Sequence, residues 1–579
     1  MDRIDRLEAA LDIGAPEVAG LRVDPARRLT GPGMIWEHPG AVIDILAGDD
    51  DADRAAGLWL EQARRVLDSI GWTDQHAISR RFHGGVNLAL SAPADQLYSA
   101  VFAAQTAWHF CAATLAGVPP RDFNVMIDDL KSVTALEENP ALTALIAAAK
   151  MHHVDILIDD DVVSLGHGKG ARTWPVEALP KATDVDWPDL HDIPLALITG
   201  TNGKTTTTRL CAAMARAAGH VTGLTSTDMV QVGNDILDRG DYSGPGGARL
   251  VLRDPRVDVA FLEVARGGIL RRGLATRRAR TAVVTNIAKD HLGEYGVMTL
   301  HELAEAKFAV ARGLAPDGVL VLNGDDPHVV DAAARVTNPI WWFSLNSAIP
   351  MITKAKSDGR PCAYITKNAL TFFDGQTEAL SVPLTDIPIT LAGAAKYNVQ
   401  NALAAVCLSM AMGLAPEAIR AGLISFASGP QDNPGRLNEF TYNGARVFVD
   451  FAHNAHSISA VCDALADMPA AHRFLMLSQP GDHSDQDIAE VTTTALQFLP
   501  DHIVAAEIPD YLRGRIPNEI PDLIARTAIA NGIDPDQVQC TDTPLEGAQR
   551  ILEQVGPGDL VLLLVLSGRD GIFKILGGA

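Results

Sequence analysis

Short apolar runs separated by amphipathic stretches organise most of the chain. Leu195 to Ile198, Val257 to Leu262, Thr281 to Thr285, Val319 to Leu322 and Ile340 to Phe343 are rich in Val, Ile, Leu and Phe, with helical spacing of apolar positions between them. Buried parallel strands alternating with helices have this pattern, so the region predicts a doubly wound α/β sheet. Between Pro361 and Leu391 the period changes to two around Asp374-Gly375, which predicts an antiparallel hairpin at the sheet's edge. Asn401 to Met412 reads as a strongly apolar helix, and the breaker cluster Pro430 to Pro434 as a hinge. Beyond it, Val447 to Val449, Phe474 to Leu477, Ile503 to Ala506 and Leu560 to Leu566 repeat the strand-then-helix rhythm in a second, smaller α/β domain.

The region up to about Leu179 is Ala-rich and mixed. Leu97 to Ala116 and Ala141 to Met151 have helical spacing, and Asp155 to Ile158 with Val162 to Leu165 predict a hairpin around Asp159-Asp160-Asp161. Prolines among acids between Pro175 and Pro194, flanked by Trp174 and Trp187, predict a linker. The expected organisation is an N-terminal α+β domain over 1–180, a central P-loop doubly wound domain over 192–430 and a C-terminal Rossmann-like α/β domain over 431–579.

Composition narrows the partners. Forty-eight Lys and Arg against 71 Asp and Glu give a net charge of −23, which opposes broad adhesion to nucleic acid or anionic membranes. Any phosphate must be held locally. The longest apolar run, Leu560 to Leu566, is far short of the roughly 18 residues that span a bilayer. Cys111, Cys211, Cys362, Cys407, Cys462 and Cys540 are scattered singly, as reduced hydrophobes rather than a zinc site or disulfide framework. Met1 to Ala15 alternates acids and bases and lacks a signal-peptide pattern, so a soluble cytoplasmic protein without membrane or nucleic-acid partners is expected.

The sharpest local chemistry is Gly200-Thr201-Asn202-Gly203-Lys204-Thr205-Thr206, between the strand Leu195 to Ile198 and a helical pattern from Thr207 to Ala218. A glycine-rich turn there lets backbone N–H groups approach phosphate oxygens, and the helix N-terminus adds partial positive charge. Lys204 would neutralise β- and γ-phosphates, and Thr205 would offer its hydroxyl to Mg²⁺. The spacing is the short G-x-x-G-K-T form, and the alternative is a plain β–α turn.

Glu263 follows the strand Val257 to Leu262, where ligands bind at the carboxyl edge of open α/β sheets. Strand-end acids also occur without function, but Ala265-Arg266-Gly267-Gly268-Ile269-Leu270-Arg271-Arg272-Gly273 follows. Its glycines permit close approach and its arginines suit carboxylate or phosphate. Thr285-Asn286-Ile287-Ala288-Lys289-Asp290-His291 ends the next strand, and His291 reads as a metal ligand or as a structural residue at a helix start.

Gly200 to Thr206, Glu263, Asn286 to His291, Asn398 with Asn401, Gly435-Arg436 and Asp450-Phe451-Ala452-His453-Asn454 occur in an order that resembles the Mur ligase superfamily of ATP-dependent amide ligases, over roughly 192–579. Leu262 to Gly273 and Pro480-Gly481-Asp482 look most like its cyanophycin synthetase branch. The resemblance implies Mur ligase architecture, ATP and Mg²⁺, and a carboxylate activated as an acyl phosphate for attack by an amine. It implies that Lys204 and Thr205 contact phosphates and magnesium, and that Glu263 and His291 ligate a second magnesium. Asn398 and Asn401 would meet adenine, Arg436 the γ-phosphate, and Asp450 with His453 the ribose and phosphates. Lys307 matches a lysine that many of these ligases carry as a carbamate beside magnesium, the alternative being an ordinary helix-surface lysine.

Departures are Lys396 where many relatives have histidine, Ala455 where proline is frequent, and His483 where arginine is usual, the last bearing on the incoming amine. Val162 to Gly170 resembles the end of the branch's N-terminal domain, after which those enzymes place an ATP-grasp module. Only about twenty residues separate Arg172 from the P-loop strand here, so that module is not expected at this point. Expected substrates are amino acids or short acidic peptides related to cyanophycin, and a homo-oligomer is allowed. A catalytically silent nucleotide-binding scaffold and a folylpolyglutamate-type ligase are the alternatives.

Overall fold

The computed structural model describes residues 3–290, 292–427 and 429–578. Among them, four sheets are formed. The largest has eleven strands and is parallel through its middle, from Thr222–Thr225 through Val259–Glu263, Leu195–Thr199, Ala279–Val284, Leu314–Asn323 and Ile340–Ser344 to Cys362–Thr366. Both faces are covered, which is why its strands read as continuous apolar runs. Leu195 and Leu197 enter a core with Ile269, Leu303 and Val310, whereas Ala196 and Ile198 enter the opposite core with Leu210, Leu403 and Leu408. The strand Leu195–Thr199 lies where strand order reverses, so the turn after it opens at the sheet's carboxyl edge. The expected edge hairpin is present and extended: Cys362–Thr366, Ala369–Phe373 and Glu378–Pro383 form an antiparallel meander.

The C-terminal sheet has six strands, with Ala445–Asp450 next to the central Leu560–Leu564 and an antiparallel strand, Asn438–Tyr442, at its edge.

The N-terminal unit holds more structure than its composition suggests. Gly40–Leu46, Ala77–Phe82 and Gly85–Ser91 pair antiparallel and pack on the helices Asp49–Ser69 and Leu97–Ala116 around Trp59. The helix Asp49–Ser69, which the sequence reading did not assign, is amphipathic and buries Ala52, Ala55, Ala56 and Ala63 together with Trp59, Val66 and Leu67. The predicted hairpin is found as Ile156–Ile158 with Val162–Leu165, extended by Arg172–Pro175.

The segment expected as a linker is packed instead. Val185 and Leu190 are buried with Leu145 and Leu165, and Trp187 stacks on His152 at 4.4 Å. Aromatic and branched residues among the prolines supply this satellite core, which packs the segment back onto the N-terminal unit, while Asp192 at its end pairs with Arg278 of the central domain at 2.6 Å.

The N-terminal sheet also grips the central domain. Arg80 pairs with Glu305 at 2.5 Å and donates to the Gly296 carbonyl at 3.2 Å, the His83 N–H donates to Glu302 Oε1 at 2.6 Å, and Arg27 donates to the Leu270 carbonyl at 3.0 Å. Glu302 at the same time closes a capping box with Thr299 at the start of the helix Leu300–Phe308, which carries Lys307.

Candidate functional site

The turn Gly200 to Gly203 leads directly into the helix Lys204–Ala217. Its glycines are required sterically: a Cβ on Gly203, where φ is +86°, would stand 2.1 Å from Asn401 Oδ1, and one on Gly200 would stand 1.8 Å from Thr285 Oγ1. Polar contacts hold the turn in shape. The Asn202 N–H donates to Asn286 Oδ1 at 2.8 Å, Asn286 Nδ2 returns a bond to the Asn202 carbonyl at 3.0 Å, and Thr201 Oγ1 donates to the Ala288 carbonyl at 3.1 Å. Lys204 Nζ rests on the Thr201 carbonyl at 3.0 Å, folded over the loop it would serve.

Beside the turn, Thr205 Oγ1 donates to Glu263 Oε2 at 2.8 Å. Glu263 is 2% exposed and its Oε1 is buried without a hydrogen-bond partner. Burial pushes its carboxyl above the usual range, opposed by the Lys204 charge. A buried carboxylate oxygen with no donor, next to a hydroxyl, is suited to a cation.

Lys307 is 4% exposed, and burial pulls its ammonium well below the ordinary lysine value, helped by the charges of Lys204 and Arg266 and opposed by Asp290. It is not a surface lysine. His291 lies outside the described residues. Among the described residues no group of three His, Cys, Asp or Glu side chains converges as a ready metal cluster.

The opposite wall comes from the C-terminal unit. Arg436 lies with its guanidinium 4.6 Å from the centre of the Phe451 ring. Asp450 accepts from the Leu437 and Ala452 N–H groups, each at 2.7 Å, and burial raises its carboxyl to about 6 against the pull of Arg436. One cavity is lined by Thr201 to Thr206, Glu263, Asn286, Asn401, Arg436, Asp450 and His453. Asn398 is not on its wall: its amide donates to the Ile389 carbonyl at 3.0 Å and its Oδ1 accepts from Asn401 at 3.1 Å, so it orients Asn401 from behind. Gly200 likewise sits beneath the loop, against Thr285.

Tyr397, Gln400, Thr227, Phe451 and His456 also line the cavity, and sequence reasoning did not single them out for it. His456 sits 2.9 Å from Asn202 Nδ2, and the half-buried Tyr397 has a buried hydroxyl without a hydrogen-bond partner. The only signal for His456 was its place two residues beyond Asn454.

The two lobes touch directly around the site. Asn454 Nδ2 donates to Asn202 Oδ1 at 3.1 Å, Lys289 reaches Asp487 at 2.7 Å and Glu490 at 3.1 Å, and Arg569 meets Asp228 at 3.3 Å. The expected hinge is fastened to the P-loop helix: Asn433 Nδ2 donates to Thr206 Oγ1 at 3.1 Å, and Arg209 to the Asp432 carbonyl at 3.2 Å.

A glycine-rich loop leading into a helix at the switch point of a parallel sheet, faced by a second α/β lobe, defines a two-lobed fold of the P-loop type. Residues 198–409 match the Mur ligase middle domain, and 435–564 match the domain described as Mur ligase, glutamate ligase domain. The chain belongs to the Mur ligases. It is 36% identical over 415 residues to a cyanophycin synthetase of Geminocystis herdmanii, an alignment covering 70% of this chain and 47% of that protein. It therefore spans about half the length of that relative. A UDP-N-acetylmuramoyl-L-alanyl-D-glutamate--2,6-diaminopimelate ligase of Geobacter metallireducens is 26% identical, over 66% of this chain and 75% of that one. Among solved structures, E. coli FolC in complex with ADP aligns with a TM-score of 0.48 at 18% identity, covering 66% of this chain and 89% of that chain. No helix among the described residues is long and apolar enough to cross a membrane.

Proposed function

We propose that the chain is an ATP- and Mg²⁺-dependent acid–amine ligase that activates a carboxylate as an acyl phosphate, acting on amino acids or a short acidic peptide related to cyanophycin. The observation that carries this reading is the shared cavity, in which the phosphate loop and Glu263 of one lobe face Arg436 and Asp450 of the other.

Thr205 and the unpartnered Glu263 Oε1 are the residues that would hold magnesium. Bound there, the ion would supply positive charge to phosphate oxygens. Lys204 and Arg436 flank the place where the transferred phosphoryl group would lie and would stabilise its spread charge as the substrate carboxylate attacks the γ-phosphorus in line and ADP leaves. The amine then attacks the acyl phosphate, and phosphate departs through a tetrahedral intermediate. Contact between the lobes would exclude the water that would otherwise hydrolyse the acyl phosphate before the amine attacks. Asn401 and Tyr397 stand where adenine would meet the central lobe, with Asp450 and His453 toward the ribose and phosphates.

Burial, which holds the Lys307 ammonium well below the ordinary lysine value, favours the amine form that can add CO₂: its nitrogen would form the N–C bond and release a proton, leaving an anion where an ammonium would repel a cation, although Lys307 itself is not on the cavity wall. The test is phosphate release by the purified chain against amino acids and short acidic peptides offered in acid–amine pairs. Release that needs both partners, with one ADP per amide, supports the ligase; nucleotide binding with no pair-dependent release favours the silent scaffold.

A further inference from the structure

The hinge segment that leads to Arg436 is gripped by one arginine from each lobe, and a single carboxylate is common to both. Arg209, on the helix Lys204–Ala217, donates to the Asp432 carbonyl at 3.2 Å, and Arg569, opening the helix Arg569–Ile575, donates to the Pro434 carbonyl at 3.1 Å. Asp228 pairs with Arg209 through Oδ2 at 3.4 Å and with Arg569 through Oδ1 at 3.3 Å. Gly435, between Pro434 and Arg436, is enclosed by arginines: a Cβ on it would stand 2.9 Å from Arg569 Cδ, and its carbonyl accepts from Arg436 Nη1 at 3.1 Å. Contacts thus run unbroken from Asp228 through Arg569 to the backbone that carries Arg436.

Charge gives Asp228 a task that its volume alone would not. Burial disfavours the Arg209 cation, Asp228 favours it, and the like charges of Arg436 and Arg569 oppose it. Burial also works against the Asp228 carboxylate, but Arg436, Arg569 and Arg209 together hold it below the usual range. Without that negative charge, Arg209 and Arg569 would be left as neighbouring like charges, each with less reason to hold its hinge carbonyl. The turn is also close to the phosphate loop, because Thr227 lines the nucleotide cavity and its Oγ1 lies 3.3 Å from Thr205 Oγ1.

We infer that Asp228 is a positioning residue for phosphoryl transfer: through Arg569 and Arg209 it fixes the hinge so that Arg436 is presented to the γ-phosphate. Asp228 is not on the cavity wall and acts through Arg436, so the inference rests on the reading of Arg436 as a γ-phosphate residue.

Affinities of the full chain for ADP and for the β,γ-imido analogue of ATP, both with magnesium, test this without turnover. Arg436→Ala should weaken the analogue at least tenfold and leave ADP within twofold. Asp228→Asn, which keeps the shape and removes the charge, should do the same, and the double variant should lose no more than Arg436→Ala alone. Arg569→Gln, at a partly exposed side chain of the other lobe, should reproduce the effect and carries the test if Asp228→Asn does not fold. The proposal is overturned if these hub variants bind the analogue like wild type, if they weaken ADP and the analogue alike, or if their losses multiply with that of Arg436→Ala. In each of those cases Arg436→Ala alone still loses the analogue, and the ligase reading stands. If Arg436→Ala binds the analogue like wild type, or wild type binds neither nucleotide, the γ-phosphate role of Arg436 fails and the positioning role of Asp228 falls with it.

Discussion

Arg80 and Glu305 lie 225 residues apart in sequence and meet at 2.5 Å, two residues before Lys307 on the same helix. The N-terminal sheet therefore braces the shell of the nucleotide site from behind. Arg80→Ala should cost about 1–2 kcal/mol of stability, allowing for partial exposure of both partners. Amide exchange should rise selectively over 296–308, and kcat should fall more than ATP affinity. Unchanged exchange in that segment would show that the brace is dispensable.

On the proposed reading, Lys204→Ala removes a charge that would meet the phosphates. Such a loss costs about 10²-fold or more in rate. ADP release under saturating substrates measures it, and turnover within twofold of wild type would end the P-loop reading.

Lys307→Ala should be inactive and partly rescued by short-chain carboxylates, which can replace a missing anion beside magnesium. Carbon-13 NMR under labelled bicarbonate should show a carbamate signal in wild type that is absent from the variant. A silent spectrum with full activity would leave Lys307 as a plain buried amine.

Asp450 gives a pH signature. Its carboxyl is raised from 3.8 to about 6 by burial, so between those values the folded state holds more protons than the unfolded one. Stability from this group is present at low pH and is lost as pH rises through 6, amounting to ~3 kcal/mol when complete. Asp450→Asn should therefore gain on wild type as pH rises from about 4 to about 7 and change little above that. The melting-temperature difference between the two proteins, followed across that range, checks the sign.

If this nucleotide site alone forms bonds, every amide made should have one linkage and consume one ATP. Mass spectrometry and hydrolysis of the product test this, and two chemically distinct amides made by the purified chain would refute it.

The parts of the site legible in the sequence share one geometry. Lys204, Glu263, Asn286 and Asp450 each sit at or just past the carboxyl end of a strand, where an apolar run followed by a polar residue marks both the element and its functional edge. Thr227 also sits just past a strand's carboxyl end, but that strand, Thr222–Thr225, is too short and polar to stand out as an apolar run, and Tyr397 reaches the cavity from the helix Lys396–Ala411 with no strand-end mark. Asn398 matched a motif position but spends its amide on Ile389 and Asn401, a distinction that side-chain geometry alone reveals. In the N-terminal unit the packing of 175–194 is hidden by its prolines and acids, although Val185, Leu190 and Trp187 join a small apolar cluster with Leu145 and Leu165.

The seam between the lobes joins two kinds of contact. Leu391, Ala395 and Tyr397 pack into the apolar core of the C-terminal unit, whereas Lys289 holds Asp487 and Glu490 through side chains about half exposed. Exposed pairs contribute only about 0–1 kcal/mol each and weaken as added salt shortens the Debye length below its roughly 8 Å at physiological ionic strength, while apolar contacts are not screened. Ionic strength thus becomes a handle on residence time: added salt should shorten the dwell of a finished product between the lobes, leaving the bond-forming step inside almost untouched.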